Sequence, residues 1–126
     1  MAYIFYNPNP MGKHVTDCSI RMLCRLLNLS WLEAFDIVTS ICRKEYCMPS
    51  SDKVWSTVLF ANGYSKHVIP EDIPIGYTVK DFCIDHPVGK YAIKTSGHVI
   101  AVVDGDYYDS FDSGYKEPMY YFRKER

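Results

Sequence analysis

The sequence has no excess of charge of either sign and no long hydrophobic run. Its 126 residues include 14 Lys and Arg and 15 Asp and Glu, which leaves a formal net charge of -1. This balance gives no electrostatic reason to bind a nucleic-acid backbone or an anionic membrane. No apolar stretch approaches the roughly 20 residues that a membrane-spanning helix needs. We therefore expect a protein whose partners are neither nucleic acid nor membrane.

The sequence also lacks an even set of cysteines and the spacings of common metal sites. Five cysteines cannot form a closed disulfide framework, and residues 1–13 lack the basic-then-apolar pattern of a signal peptide. No Cys-x-x-Cys pair and no His-x-x-x-His pair occurs, so we expect neither a metal site nor a cofactor. The composition predicts reduced thiols in a cytoplasmic protein.

Hydrophobic periodicity divides the chain into a helical half and a β half. In the first half, apolar residues recur at helical spacing, and helix starts are marked by candidate caps at Thr16 or Asp17, Ser30 and Thr78. From Lys90 the spacing becomes two, which is typical of strands. The predicted strands, with a short one before Lys90, are 67–69, 91–95, 98–103, 107–111 and 119–123. Residues 1–126 thus form one predicted α+β domain, with N-terminal helices packed on one face of a C-terminal antiparallel sheet.

Cys18 has the position and the direction of a nucleophile. It lies in the first turn of the first predicted helix, where free N–H groups and the helix dipole favour a thiolate. At about 100° per residue, it points away from the apolar stripe that contains Ile20 and Cys24. Cys42 and Cys83 also fall on apolar stripes, and the sequence leaves Cys47 unassigned, so Cys18 is the candidate reactive thiol on the strength of its helix-start position and its direction. The alternative is one more small buried thiol.

His98 begins a predicted strand and is the candidate base. Asp104-Gly105 is a strong hairpin signal, and a two-residue turn there puts Asp109 diagonal to His98 on the same face. A three-residue turn would instead put Asp112 directly opposite His98. Either register gives the imidazole a carboxylate partner, as a nucleophile–base pair requires. The residues alone leave both registers open.

These segments resemble the papain-like cysteine peptidases. Residues 16–21 open a helix, and residues 97–105 are followed by Tyr108-Asp109-Ser110, an arrangement similar to small bacterial and phage proteins of that fold. The resemblance implies a papain-like fold, a protein or peptide substrate and a cytoplasmic location, which is the host cytoplasm if the protein is phage-encoded. It also implies Cys18 as nucleophile, His98 as base and then acid, and Asp109 as the orienting group. A tyrosine before the acidic residue favours Asp109 over Asp112.

One feature of that family is missing. Papain-like enzymes usually place a glutamine a few residues before the cysteine, where its amide donates a hydrogen bond to the oxyanion. This chain has no glutamine, and position 12 is glycine. The amide of Asn7 or Asn9 is the candidate replacement, with the backbone N–H of Cys18 as second donor. The alternative is that Asn-Pro-Asn-Pro is only a turn sequence.

Three functions fit this set of residues. The first is hydrolysis of a peptide or isopeptide bond through an acyl-thioester on Cys18. The second is acyl transfer on the same triad, in which an amine replaces water as in transglutaminases. The third is a catalytically inactive binding protein that keeps the papain-like fold. The candidate walls of a substrate groove are Trp55, Tyr107 and Tyr115.

Overall fold

The computed structural model describes residues 1–125 and has an α+β architecture. Strand β1 (Ala2–Phe5) is followed by helices α1 (Cys18–Leu27), α2 (Trp31–Glu45) and α3 (Asp52–Ala61). Strand β2 (Tyr64–Val68) and helix α4 (Val79–Asp85) come next. Four further strands follow: β3 (Lys90–Thr95), β4 (His98–Val103), β5 (Asp106–Asp109) and β6 (Tyr120–Lys124). Within residues 1–125, no helix is long and apolar enough to cross a membrane.

Two helices begin at the caps that the sequence predicts. The Ser30 hydroxyl accepts the N–H of Glu33, and the Glu33 carboxylate accepts the N–H of Ser30, so the capping box at the start of α2 is confirmed. Thr78 and Asp81 form the same reciprocal pair at the start of α4. Each pair satisfies two backbone donors that the first helical turn leaves free. Local sequence therefore fixes where α2 and α4 begin.

The six strands form one sheet in the order β1-β5-β4-β3-β6-β2. All neighbouring pairs are antiparallel except β1 and β5, which run parallel with Tyr3 beside Tyr107 and Phe5 beside Asp109. The prediction of a purely C-terminal antiparallel sheet is therefore wrong at β1. This edge strand has four residues and is followed by the proline-rich segment 7–10, so its pattern is too weak to be predicted from the sequence.

Helices cover both faces of the sheet. Alternate residues of a strand point to opposite faces, and one set, which includes Ala92, Val99 and Ala101, packs with residues of α1, α2 and α3. The other set, which includes Ile93 and Ile100, packs with residues of α4. The prediction that the helices lie on one face is wrong, because β3 and β4 are apolar on both faces and both must be covered.

A two-residue turn joins β4 to β5. Val103 pairs with Asp106, and the residues between them, Asp104 and Gly105, have φ of +49° and +80°. Positive φ at both central positions is the geometry of a type I′ hairpin. The two-residue register is therefore confirmed, and the alternative register that puts Asp112 opposite His98 is wrong.

Candidate active site

The first residues of α1 and β4 meet at a cleft. Cys18 begins α1 and His98 begins β4, and the two side chains line one cleft of about 300 Å³. Its other walls include Ser50, Trp55 and Lys94. Cys18 is half-buried and His98 is 9% exposed, so both residues border the space in which a molecule could bind.

Asp109 holds the His98 ring on the side away from solvent. His98 Nε2 lies 2.6 Å from Asp109 Oδ2, and only 1% of the Asp109 surface is exposed. The same carboxylate accepts the Ser113 hydroxyl at 2.6 Å and the Ser110 N–H at 2.8 Å. The Phe111 ring packs against the imidazole, with 5.1 Å between ring centroids. Orientation of the ring is therefore fixed by a carboxylate that is itself fixed, and Nδ1 is the nitrogen left for Cys18.

The charges around the cleft favour an ionised thiol. Burial opposes ionisation of Cys18, but its hydrogen bond with His98, a contact with the Val99 backbone and nearby positive charge hold its pKa below the ordinary value. Burial likewise lowers the pKa of His98, yet the hydrogen bonds to Asp109 and Cys18 outweigh it and raise that pKa. The lowered pKa of Cys18 and the raised pKa of His98 both favour the pair of a thiolate and an imidazolium.

The Asp109 carboxylate stays ionised in its buried position. Burial raises its pKa, but hydrogen bonds from His98 and Ser113 and the nearby charges of His98 and Arg21 hold it below the usual carboxyl value. An ionised Asp109 keeps the proton on His98 Nε2, which directs Nδ1 toward the thiol. The arrangement can therefore move a proton between Cys18 and His98 without protonating the carboxylate.

Arg21 forms two further ion pairs next to this arrangement, and neither was predicted from the sequence. Arg21 bonds Asp109 Oδ1 at 3.0 Å and Asp17 Oδ1 at 2.7 Å, and the Trp31 indole N–H donates to Asp17 Oδ2 at 2.8 Å. Asp17 occupies the predicted N-cap position of α1, but its side chain makes no cap hydrogen bond within residues 1–125. The signal that could have found this pair is the spacing of Asp17 and Arg21, four residues apart on one helix.

Asp112 lies elsewhere on the hairpin. Its carboxylate accepts the Tyr107 hydroxyl at 2.5 Å and the Gly114 N–H at 3.1 Å, and the carboxylate beside His98 belongs to Asp109. Tyr107 itself is buried in the cluster with α4, so its assignment as a groove wall is wrong. Of the three predicted walls, the cleft lining includes Trp55 and neither Tyr107 nor Tyr115.

Asn7 and Asn9 build the turn that leads to α1. The Asn7 amide donates to the Lys13 carbonyl at 3.2 Å, and Asn9 Oδ1 accepts the N–H groups of Met11 and Lys13. Neither asparagine is among the residues that line the cleft at Cys18. The role of Asn7 and Asn9 as oxyanion donors stays a prediction, and in the structure their side chains hold the turn before α1.

The remaining thiols differ from Cys18 in their surroundings. Cys24 and Cys83 are fully buried, and burial is the main cause that raises their pKa values to about 11 and about 12. Cys42 and Cys47 are half-buried. Within residues 1–125, no group of three His, Cys, Asp or Glu side chains is arranged to hold a metal ion.

A charged group, the Lys94 ammonium, also lines the cleft. Lys94 bonds Asp52 Oδ1 at 3.1 Å, and the Tyr120 hydroxyl donates to Asp52 Oδ2 at 2.6 Å. This contact ties α3 to the strands that carry the cleft. The wall therefore combines an ammonium group with the apolar face of Trp55.

Comparisons of this chain with models of known protein families, with curated proteins and with solved structures give no match.

Proposed function

We propose that this protein is a papain-like thiol hydrolase that cleaves a peptide or isopeptide bond with the triad Cys18, His98 and Asp109. One observation carries the proposal: the buried His98 ring bonds Asp109 at 2.6 Å and lines the same cleft as Cys18, whose pKa His98 helps to lower. Nucleophile, base and orienting carboxylate then stand in the order that covalent acyl chemistry requires. The resemblance of residues 16–21 and 97–110 to papain-like peptidases supports the same assignment.

The first half of the proposed reaction forms an acyl-enzyme. His98 Nδ1 takes the Cys18 proton, and the thiolate forms a bond to the substrate carbonyl carbon while the carbonyl π electrons move to oxygen. When the carbonyl re-forms, the C–N bond breaks, and His98 returns its proton to the departing amine. An acyl-thioester remains on Cys18. Asp109 stays ionised and stabilises the imidazolium.

The second half releases the acyl group. His98 takes a proton from water, the oxygen of that water bonds the thioester carbon, and the C–S bond breaks to give a carboxylic acid and the Cys18 thiol. Free N–H groups of the first α1 turn, including that of Cys18, are the donors for the oxyanion in both halves. An amine in place of water would transfer the acyl group instead.

The test compares the parent protein with Cys18→Ala on a library of peptides and isopeptide-linked peptides, read by mass spectrometry. We expect new peptide termini with the parent protein and none with Cys18→Ala or His98→Ala. A covalent adduct of acyl mass on the Cys18 peptide, trapped by acid quenching, should precede product. Added glycinamide separates hydrolysis from acyl transfer, because only acyl transfer gives a glycinamide-linked product.

Two results would overturn the proposal. One is product formation at the same rate by parent and Cys18→Ala, which would remove Cys18 from the reaction. The other is a complete lack of product and acyl adduct with folded parent protein across the library, which would leave the inactive binding protein as the function. Circular dichroism of each variant confirms that folding is unchanged.

A further inference from the structure

Arg21 lies between two buried carboxylates, those of Asp17 and Asp109. It bonds Asp17 at 2.7 Å and Asp109 at 3.0 Å, and Asp17, Arg21 and Asp109 are 6%, 5% and 1% exposed. Together with His98, these three are all the buried ionisable side chains outside cysteine and tyrosine in residues 1–125. Buried charge is thus concentrated at the proposed active site.

Burying such a cluster of ions adds little net free energy to the stability of a fold. Taking ions out of water costs several kcal/mol each, and apolar side chains of similar volume often stabilise a core equally well. With Arg21, the cluster of Asp17, Arg21 and Asp109 carries one net negative charge; without it, the two carboxylates would carry two. Arg21 therefore halves the net negative charge of this cluster, which begins at the residue before Cys18.

The Asp17 carboxylate points away from the first turn of α1. An aspartate at an N-cap ordinarily turns its carboxylate toward the N–H groups of the first helical turn. Here one oxygen bonds Arg21 and the other bonds the Trp31 indole N–H. The carboxylate directly before Cys18 is thereby held away from the N–H groups that an oxyanion would need.

We propose that Arg21 is a positioning residue of this site: it fixes the Asp109 carboxylate against His98 and draws the Asp17 carboxylate away from the first turn of α1. Any effect of Arg21 on catalysis rests on the proposed thiol hydrolase function, whereas the effect of Arg21 on the ionisation of Cys18 does not. The positive charge of Arg21 is one of the causes that offset burial and lower the pKa of Cys18. The same charge acts in the same direction on Asp109.

Other charged and titratable groups face this site from the neighbouring elements. Lys94 on β3 lines the cleft and bonds Asp52 on α3. Tyr3 on β1 donates its hydroxyl to the Asp109 carbonyl oxygen at 3.2 Å. These groups are unchanged in the variants below, so they contribute equally to every profile.

The test measures the rate at which iodoacetamide alkylates Cys18 as a function of pH, by mass spectrometry of the Cys18 peptide and without any substrate. Arg21→Met should move the midpoint of the profile up, because a positive charge that helps to lower the pKa of Cys18 is lost. Asp17→Asn should move it down, because a negative charge is lost there. The double variant Asp17→Asn/Arg21→Met should lie near the parent.

Arg25→Met is the matched control. Arg25 lies one turn further along α1, where its guanidinium stacks over the Tyr108 ring at 4.3 Å from the ring centroid. Its removal costs that stacking contact and a hydrogen bond to the Tyr108 hydroxyl, but it takes no charge from the cluster of Asp17, Arg21 and Asp109. We expect the alkylation profile of this variant to match that of the parent.

A merely structural role would loosen the site, so both Arg21→Met and Asp17→Asn would move the midpoint of the alkylation profile up. Midpoint shifts of opposite sign therefore support the positioning role. An upward midpoint in Asp17→Asn overturns the proposal, and so does a parent-like profile in folded Arg21→Met. If Arg21→Met does not fold, the sign of the Asp17→Asn effect decides. Because alkylation needs no substrate, a lack of peptide hydrolysis would refute the hydrolase function and leave this result standing.

Discussion

Replacing Asp109 by asparagine tests whether the His98 ring owes its basicity to this carboxylate. The Asp109 carboxylate accepts hydrogen bonds from the side chains of His98 and Ser113 and from the N–H of Ser110, and it forms an ion pair with Arg21. An amide of the same shape keeps one accepting oxygen, but it loses the negative charge and turns N–H groups toward donors on its other side. The imidazolium form of His98 therefore loses its charged partner.

The size of the effect follows from that contact. Burial alone lowers the pKa of His98, and the hydrogen bond to Asp109 is the largest of the opposing causes that hold it above the ordinary value. A hydrogen bond to a charged group contributes roughly 1.5–3 kcal/mol, and about 1.4 kcal/mol corresponds to one pH unit. Asp109→Asn should therefore lower the midpoint of the His98 titration by about one to two pH units.

The assay is an NMR pH titration of isotope-labelled imidazoles, with the His98 signal identified by its loss in His98→Ala. Asp112→Asn is the control, because Asp112 lies on the same hairpin and bonds Tyr107 and Gly114 rather than His98. An unchanged His98 midpoint in folded Asp109→Asn would refute the reasoning. An equal displacement in Asp112→Asn would show that the effect is not specific to the contacting carboxylate.

Two further predictions concern stability. Ser30→Ala removes one half of the α2 capping box and should lower the free energy of unfolding by about 1 kcal/mol in urea titrations. Ser40→Ala, on the exposed side of the same helix, should change it by less than about 0.5 kcal/mol, and equal losses would contradict the capping argument. Although burial raises the pKa of Asp109, its hydrogen bonds from His98 and Ser113 lower it overall, so this carboxylate stabilises the fold above its ordinary pKa of about 4. That stabilisation is lost as the pH falls through the lowered folded-state pKa. Below about pH 4, where the titration of His98 is complete in both proteins, Asp109→Asn should therefore lose less stability with falling pH than the parent, and parallel losses there would contradict the assignment.

Features that depend on residues close together in sequence could be predicted. The capping boxes at Ser30 and Thr78 use donors and acceptors three residues apart, so a short motif contains the whole interaction. Asp104-Gly105 carries the backbone preference for a type I′ turn, and that turn alone sets which residues of β4 and β5 face each other. The pairing of His98 with Asp109 followed from that register.

Features that depend on distant contacts could not be predicted. Strand β1 is identified by its pairing with β5, about a hundred residues away in sequence, and four residues carry too weak a pattern on their own. The packing of α4 on the second face of the sheet depends on the fact that β3 and β4 are apolar on both faces. The spacing of Asp17 and Arg21 is local, whereas the contact of Arg21 with Asp109 joins α1 to β5 and depends on the tertiary fold.

The pH dependence of Cys18 alkylation in the parent protein, mapped with iodoacetamide at every cysteine, tests most directly whether Cys18 and His98 form a reactive pair. Cys18 should react at full rate well below the ordinary thiol pKa of about 8.5. Cys24 and Cys83, whose pKa values are raised mainly by burial to about 11 and about 12, should stay unlabelled while the protein is folded. A Cys18 rate that rises only through about pH 8.5, as in the urea-unfolded chain, would contradict the pair.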